Sequence, residues 1–408
     1  MSSRPTLLLL ESNTTGTGRL FVQTAVKLGV HPVVISKDPS RYPYLVEERV
    51  EVFIADTFDY GVLESAVKER FSAASVVGIF TSSEFWTESA ARLAKVFGLS
   101  GADPEAVALC RSKWKQRERF RRSGLRVPRF WRVDSVERAR DILAEESLPL
   151  VVKPSQASGS VGVRLCRSEN EVIRHVGLLL GLDTDERGFS VPKDVLIEEY
   201  LDGPEYSVEM FGLRAVGVTR KHLSPEPFFV ELGHDYPARL SDQLAQALRE
   251  EALLSLETVG LRWGPSHVEI RLTGAGPVVI EINPRLAGGY IPELVRRTSG
   301  VDLIRSTLLA VMGRSPEHGV TQDVCGSIRF LTSPKEGVLI GVDGIKQARS
   351  VPCVVDVSVY RTRGDLIRNR GDFRDRLGHV IAIDSSADAA SLAAGRALEF
   401  LTVETASE

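Results

Sequence analysis

Hydrophobic positions change their period along this chain, and the changes divide it. In the first hundred residues, apolar runs at 6–10, 33–36, 52–55 and 76–81 have strand length, with helical spacing over 19–28 and roughly 84–97. A βαβ rhythm of this kind predicts a parallel, doubly wound sheet. Asp103-Pro104 punctuates that unit, and helices follow over 104–110 and 112–123, closing at Gly124 with Pro128 beyond. The pattern then returns to strands: 148–153, a Ser/Gly stretch, a strand through 165, and 194–201 with a short connector into another strand from Glu205. Further on, Val268, Ile270 and Leu272 point one way with period 2, as do Val278, Ile280 and Ile282. Turn residues from Thr273 to Gly276 join the two runs, so an antiparallel hairpin is expected.

That hairpin carries the sharpest chemistry. Aligning its apolar positions sets Glu269 opposite Glu281 on the other face, with Asn283 one step beyond. Like charges directly opposed on a sheet repel, and a divalent cation reverses the sign of that interaction. Carboxylate and amide oxygens suit Mg²⁺, with Mn²⁺ a possible substitute. An exposed hairpin with two solvated glutamates is the alternative. The polar face lacks alternating lysines to relieve the pair, which favours a metal.

Composition narrows the classes. The chain has 408 residues, 43% hydrophobic and 26% charged, which is ordinary for a globular protein with room for two or three domains. A net charge of −3 makes no electrostatic case for nucleic acid or an anionic membrane. Glu11 interrupts the apolar run at 7–10, so no signal peptide is expected, and no stretch approaches membrane-spanning length. Cys110, Cys166, Cys325 and Cys353 lack CxxC spacing and read as reduced, mostly buried thiols of a cytoplasmic protein.

Two loops raise the question of phosphate. Gly16-Thr-Gly18 follows the first strand, but it lacks the six-residue glycine pattern, and no acidic residue ends the second strand. It reads as a tight turn lining a substrate cleft rather than a dinucleotide site. The stretch from Ser155 to Gly162 follows Lys153 and exposes backbone N–H groups as an anion nest does, without a Walker pattern. A flexible hairpin turn is the plain alternative. Lys153 weighs against it, because a lysine closing an apolar strand needs an anion. Beyond it, the connector after residue 201 offers backbone groups to an adenine edge, and Glu198 and Glu205 can accept hydrogen bonds from an amine or from ribose. Lys113 opens a helix and by itself reads as a solvated charge.

The succession of Lys113, Val151-Val-Lys153-Pro with its Ser/Gly loop, Ile197-Glu-Glu-Tyr-Leu-Asp-Gly-Pro-Glu205, and Glu269 through Glu281-Ile-Asn283-Pro-Arg285 resembles the ATP-grasp superfamily of carboxylate–amine ligases. The resemblance covers nearly the whole chain. It implies a mixed α/β and α+β multidomain fold: a doubly wound pre-ATP-grasp domain over 1–105, an ATP-grasp domain over 106–325 with a mobile lid at about 150–202, and a small α+β domain over 326–408. By position, Lys113 and Lys153 would hold ATP phosphates under a loop containing Ser155, Ser158, Gly159, Ser160 and Gly162. Glu198 would meet the adenine amino group, Glu199 and Leu201 would offer backbone contacts to the ring, and Glu205 would bind ribose. Glu269, Glu281 and Asn283 would coordinate Mg²⁺, and Arg285 would face the reacting centre.

The phrases Glu281-Ile-Asn-Pro-Arg-Leu-Ala-Gly-Gly-Tyr290 and Phe228-Phe-Val-Glu231-Leu-Gly-His234 resemble the bacterial L-amino-acid ligases that make dipeptides. That likeness would put Glu231 and His234 beside an amino-acid substrate, with Gly289 and Tyr290 shaping its pocket. For His234, a loop histidine without a role stands as the alternative. His31, His175, His222, His318 and His379 have no metal or triad spacing. The implied reaction activates a carboxylate as an acyl phosphate, which an amine then attacks. Small-molecule amino acids are the expected partners, and a homodimer is suggested only by the likeness. A ligase with a γ-carboxyl donor or a non-peptide amine, a biotin-carboxylase-type enzyme, and a silent nucleotide-binding regulator remain as alternatives.

Overall fold

A computed structural model describes residues 5–13, 17–316 and 324–407. Gly16 and His318 lie outside the described residues. The first sheet has four parallel strands in the order Glu51–Ile54, His31–Ser36, Thr6–Leu10, Val76–Phe80. Leu7 and Leu9 face helices Thr17–Lys27 and Leu303–Val311, while Leu8 and Leu10 face helices Tyr60–Arg70 and Thr87–Val96. Both faces are covered, which is why these strands read as continuous apolar runs rather than alternating ones. Gly78 lets the helix at 303–311 approach, since a Cβ there would lie 2.4 Å from Val311. A short 3-10 turn, Glu84–Trp86, precedes helix Thr87–Val96, where a single longer helix is expected from the apolar spacing.

Residues 104–110 and 113–122 are helical, each capped by an N-terminal side chain, from Asp103 and Ser112. Next comes a four-stranded antiparallel sheet in the order Phe130–Val133, Val195–Glu199, Leu150–Pro154, Arg164–Cys166. Helices Val136–Glu145 and Glu169–Leu180 cover it through Ile142, Val172 and Val176. The connector after Glu199 leaves this sheet and enters a different one at Glu205, so it bridges two layers.

That second layer is an eight-stranded antiparallel sheet: Gly276–Asn283, Pro265–Thr273, Glu205–Phe211, Arg214–Leu223, Glu231–Tyr236, Cys325–Leu331, Gly378–Asp384, Val354–Val359. The C-terminal strands extend it by pairing Cys325–Leu331 with Glu231–Tyr236. A three-stranded sheet of Leu366–Ile367, Gly337–Asp343 and Thr402–Ala406 completes the C-terminal part, with helix Ala387–Glu399.

The hairpin forms with Glu269 paired to Glu281. Its register slips beyond that pair, so Ile270 faces Val279. A bulge adds one residue to a strand and flips the alternation past it. Val279 therefore joins the core with Val268, Ile270 and Ile282, and Ile280, expected inside, lines the cleft instead. Cys110 and Cys166 are buried, whereas Cys325 and Cys353 are only partly so, and the Cys353 thiol donates to Asp384 at 2.9 Å.

Candidate active site

A cleft opens between the four-stranded and eight-stranded sheets. Lys113, Lys153, Ser158, Gly159, Ser160, Glu198, Glu199, Leu201, Glu205, Glu231, Glu269 and Glu281 all line it, although they are scattered over much of the chain. Ser155, Gly162, Asn283, Arg285, His234, Gly289 and Tyr290 lie outside that lining.

The phosphate-loop candidates divide by role. Ser158, Gly159 and Ser160 face the cleft, with Gly159 and Ser160 at φ +63° and +64°. Gly159 cannot carry a Cβ, because one would fall 2.5 Å from the Phe373 ring. The Ser160 hydroxyl donates to the Phe229 carbonyl at 2.8 Å. Ser155 is buried, its hydroxyl turned to Asp194, and its carbonyl accepts from the Lys113 N–H at 3.0 Å. Gly162 packs against Pro154 and Leu179, and its carbonyl bonds His175 at 2.8 Å. These last two brace the loop.

Lysines and carboxylates interlock at the cleft floor. Lys153 ion-pairs Glu198, whose other oxygen takes Arg117 Nε at 2.7 Å. Both Glu198 oxygens are therefore engaged within the chain. Burial opposes charge on Glu198, but Arg117 and Lys153 outweigh it and hold the carboxyl below its ordinary range. Burial also lowers the Lys153 ammonium. Lys113 Nζ reaches Glu281 at 2.8 Å and the Ala157 carbonyl at 2.5 Å. Lys113 is thus buried and paired, not the solvated helix charge that it resembles in isolation.

Sequence reasoning missed a third lysine. Lys221 is buried among Glu205, Glu231 and Glu269 at 2.7, 2.9 and 3.0 Å. Burial disfavours its charge, yet the three carboxylates raise its pKa well above the usual value. The hairpin's polar face is therefore not without lysines: Lys221 and Lys113 arrive from other elements, one to each glutamate. His267 adds a contact of 3.3 Å to Glu269 while holding Glu209 at 3.0 Å. Burial raises Glu269, but Lys221 and His267 pull it far below the usual range. Glu281 goes the other way, raised by burial and by Glu269 and Glu84 against the pull of Lys113.

Asn283 is buried opposite His267, and its Oδ1 is 3.4 Å from Arg285. Arg285 donates through Nε to Glu84 at 2.9 Å, and Arg111 holds the other Glu84 oxygen. Glu84 comes from the doubly wound sheet, and nothing in its local sequence marks it. Burial would raise its carboxyl, but Arg285 and Arg111 press it down to about 2.

Glu231, His234 and Gly289 do converge. His234 is fully buried, 3.0 Å from Glu231 and 3.2 Å from the Gly289 carbonyl, and burial lowers its pKa. Arg376, a further residue that the sequence did not mark, donates to Glu231 at 2.8 Å. Tyr290 stands slightly apart, its ring 4.4 Å from His379 and stacked on Tyr360. Among the described residues, no cluster of three or more His, Cys, Asp or Glu side chains is arranged to hold a metal. The Glu269–Glu281 pair with the Asn283 amide nonetheless suits Mg²⁺, which takes one or two carboxylates and completes its shell with water and substrate phosphate.

Known proteins carry the same parts. The profile of the ATP-grasp domain matches residues 146–293, and that of the L-amino acid ligase C-terminal domain 2 matches residues 329–406. An uncharacterized protein, y4rH, of Sinorhizobium fredii is 34% identical over 396 residues, spanning 97% of this chain and 82% of that protein. Alanine–anticapsin ligase of Bacillus amyloliquefaciens is 29% identical over 270 residues, 60% of this chain, and the chain spans 56% of that ligase's length. The crystal structure of an L-amino acid ligase from Bacillus licheniformis superposes with a TM-score of 0.81 over 100% of both chains at 20% identity, a likeness of fold. Among the described residues, no helix is long and apolar enough to cross a membrane. The chain belongs to the ATP-grasp superfamily, as a C–N bond-forming ligase related to the amino-acid ligases.

Proposed function

We propose that this ligase joins two amino acids by converting the carboxylate of one to an acyl phosphate, which the amine of the other attacks, with release of ADP and phosphate. The observation that carries this reading is the placement of Glu269 and Glu281, face to face on the wall of a cleft that also holds Lys113, Lys153 and the Ser158–Ser160 loop. We further read the chain as three domains, 1–105, 106–325 and 326–408, acting in the cytoplasm and as a homodimer.

In this reading Lys113 and Lys153 bind phosphate oxygens, and the 155–162 loop closes over them. Glu198 orients Lys153 and reaches the adenine amino group, with backbone contacts at Glu199 and Leu201 and Glu205 toward ribose. Glu269, Glu281 and Asn283 would hold Mg²⁺, which supplies charge neutralisation on the phosphates. A donor carboxylate oxygen bonds to the γ-phosphorus and the bond to ADP breaks. The amine nitrogen then bonds to the carbonyl carbon, and phosphate leaves with the donor's oxygen. Arg285 stabilises the oxyanion between these steps, and one such donor is worth about 3–4 kcal/mol. Glu231, His234, Gly289 and Tyr290 border the amino-acid pocket. Closure excludes water, which would otherwise hydrolyse the acyl phosphate. The C-terminal match to the amino-acid ligases favours an amino-acid acceptor over a carboxylase chemistry.

The test is a matrix of amino-acid pairs with Mg-ATP, scored for phosphate and for condensed product by mass. With ¹⁸O in the donor carboxylate, one label is expected in the phosphate. Arg285→Ala is expected to slow condensation about a hundredfold or more while sparing ATP binding. Release of AMP, or of unlabelled phosphate, excludes the mechanism.

A further inference from the structure

The segment between helix Glu169–Leu180 and strand Val195–Glu199 does more than connect them. Asp185 ties it into a tight turn: its Oδ1 accepts from the Arg187 and Phe189 N–H groups at 2.8 and 3.0 Å, and its own N–H donates to the Phe189 carbonyl. Gly188 sits between at φ +93°. Arg187 and Phe189 are thereby presented together, away from the nucleotide cleft.

Both dock on the doubly wound sheet. The Phe189 ring stacks on Phe58 at 4.4 Å, lies parallel to Phe85 at 6.1 Å, and meets Trp86 edge-on at 5.3 Å. Arg187 is only 9% exposed. Its guanidinium lies over Phe85 and Trp86, 5.7 and 5.8 Å from their centroids, and donates to the Ser12 carbonyl at 3.2 Å. Buried hydrogen bonds brace the socket. Glu11, at the end of the first strand, accepts from Ser36, Lys37 N–H, Tyr42 and Thr57, and Trp86 Nε1 donates to the Thr57 carbonyl at 3.1 Å. This is the carboxyl edge of a parallel sheet, the place where doubly wound folds receive ligands. Here it receives side chains of the same protein.

Phe85 and Trp86 share one 3-10 turn with Glu84. Glu84 grips Arg285 and Arg111, and Arg111 also lies over the Phe85 ring, 5.6 Å from its centroid. One turn of three residues therefore contacts both the 183–190 segment and Arg285, so a displacement at either is carried to the other through the same short backbone. We propose that Arg187 and Phe189 are positioning residues: when the lid closes on nucleotide they clamp the Glu84–Trp86 turn, and through Glu84 they hold Arg285 ready only under a closed lid. The proposal rests on the reading of residues 150–202 as an ATP lid.

Amide hydrogen exchange with and without Mg-AMPPNP tests it, beside a binding titration of the same samples. In the wild type the nucleotide is expected to slow exchange at 155–162, 183–190 and 83–87 together. Phe189→Ala should bind Mg-AMPPNP within about threefold of the wild type and keep the protection at 155–162. It should lose roughly tenfold of the protection at 83–87, since an aromatic cluster contact is of that size. Phe189→Tyr should restore it. Arg187→Lys, which keeps the charge but not the flat stacking surface, should show a smaller loss at the same amides. If 83–87 is protected as fully in Phe189→Ala as in the wild type, the clamp is wrong while the nucleotide reading stands. If the wild type does not bind Mg-AMPPNP, the nucleotide reading falls and the clamp with it.

Discussion

Glu269 and Glu281 face each other across the hairpin, and each is held by a lysine from a different element, Lys221 at 3.0 Å and Lys113 at 2.8 Å. The two lysines are not equivalent. Lys221 has two other carboxylates within 2.9 Å, whereas Lys113, among the described residues, has the Ala157 carbonyl besides Glu281.

Glu269→Gln and Glu281→Gln are both expected to lower Mg²⁺-dependent turnover by about a hundredfold or more, because each removes charge from the cation site. Their stabilities should differ. Glu269→Gln removes a charge that Lys221 and His267 stabilise and should cost about 3 kcal/mol, while the Glu281 charge is opposed by burial, Glu269 and Glu84, so Glu281→Gln should cost less than about 1 kcal/mol. Urea melts beside a steady-state assay check both. Normal turnover in the two variants places the cation elsewhere.

Lys153→Ala should raise the Kd for Mg-ATP by about tenfold or more, the worth of a charged hydrogen bond. Glu198 keeps Arg117 in this variant, so the fold should persist. Saturating Mg-ATP should protect residues 155–193 of the wild type against proteolysis, and the variant should need more nucleotide for the same protection. Cleavage unaffected by Mg-ATP in the wild type would count against a closing lid.

Acid should reach Glu84 late. Its carboxyl is pressed to about 2 in the fold, from 4.5 when unperturbed. A depressed carboxyl stabilises the folded state above its unfolded pKa and loses that stabilisation as pH falls through the folded one. Between pH 4.5 and 2, then, the wild type should lose about 3 kcal/mol that Glu84→Gln does not lose. Chemical denaturation at pH 6 and pH 3 in both proteins should show about 2 kcal/mol of it, the share already lost at pH 3. Equal acid slopes would show that Glu84 is not held by its two arginines.

Gly289→Ala should damage the amino-acid pocket while sparing the nucleotide. Gly289 has φ +58°, and a Cβ there would fall 2.5 Å from His234 Cε1. His234 must then swing from Glu231, and the left-handed backbone costs an alanine about 1–2 kcal/mol more. A raised KM for the amino-acid substrates with unchanged ATP affinity is the expected signature, and a lost ATP affinity would contradict it.

Local periodicity and turn chemistry were legible along the chain. Leu7 to Leu10 read as an apolar strand of a doubly wound sheet, helices were expected after Asp103-Pro104 and from Ser112, and aligning the hairpin's apolar positions set Glu269 against Glu281. The order of lysine, Ser/Gly loop and acidic hairpin was also legible, because each motif is contiguous. What meets those motifs was settled by packing between distant elements. The bulge that turns Ile280 into the cleft depends on how two strands twist together, which no single strand encodes. Lys221, Arg117, Glu84 and Arg376 look like ordinary charges in sequence, and they become parts of the site because distant elements bring them to buried partners. A buried charge is stable only beside its counter-charge, and the chain positions that supply one are chosen by packing, not by spacing along the backbone.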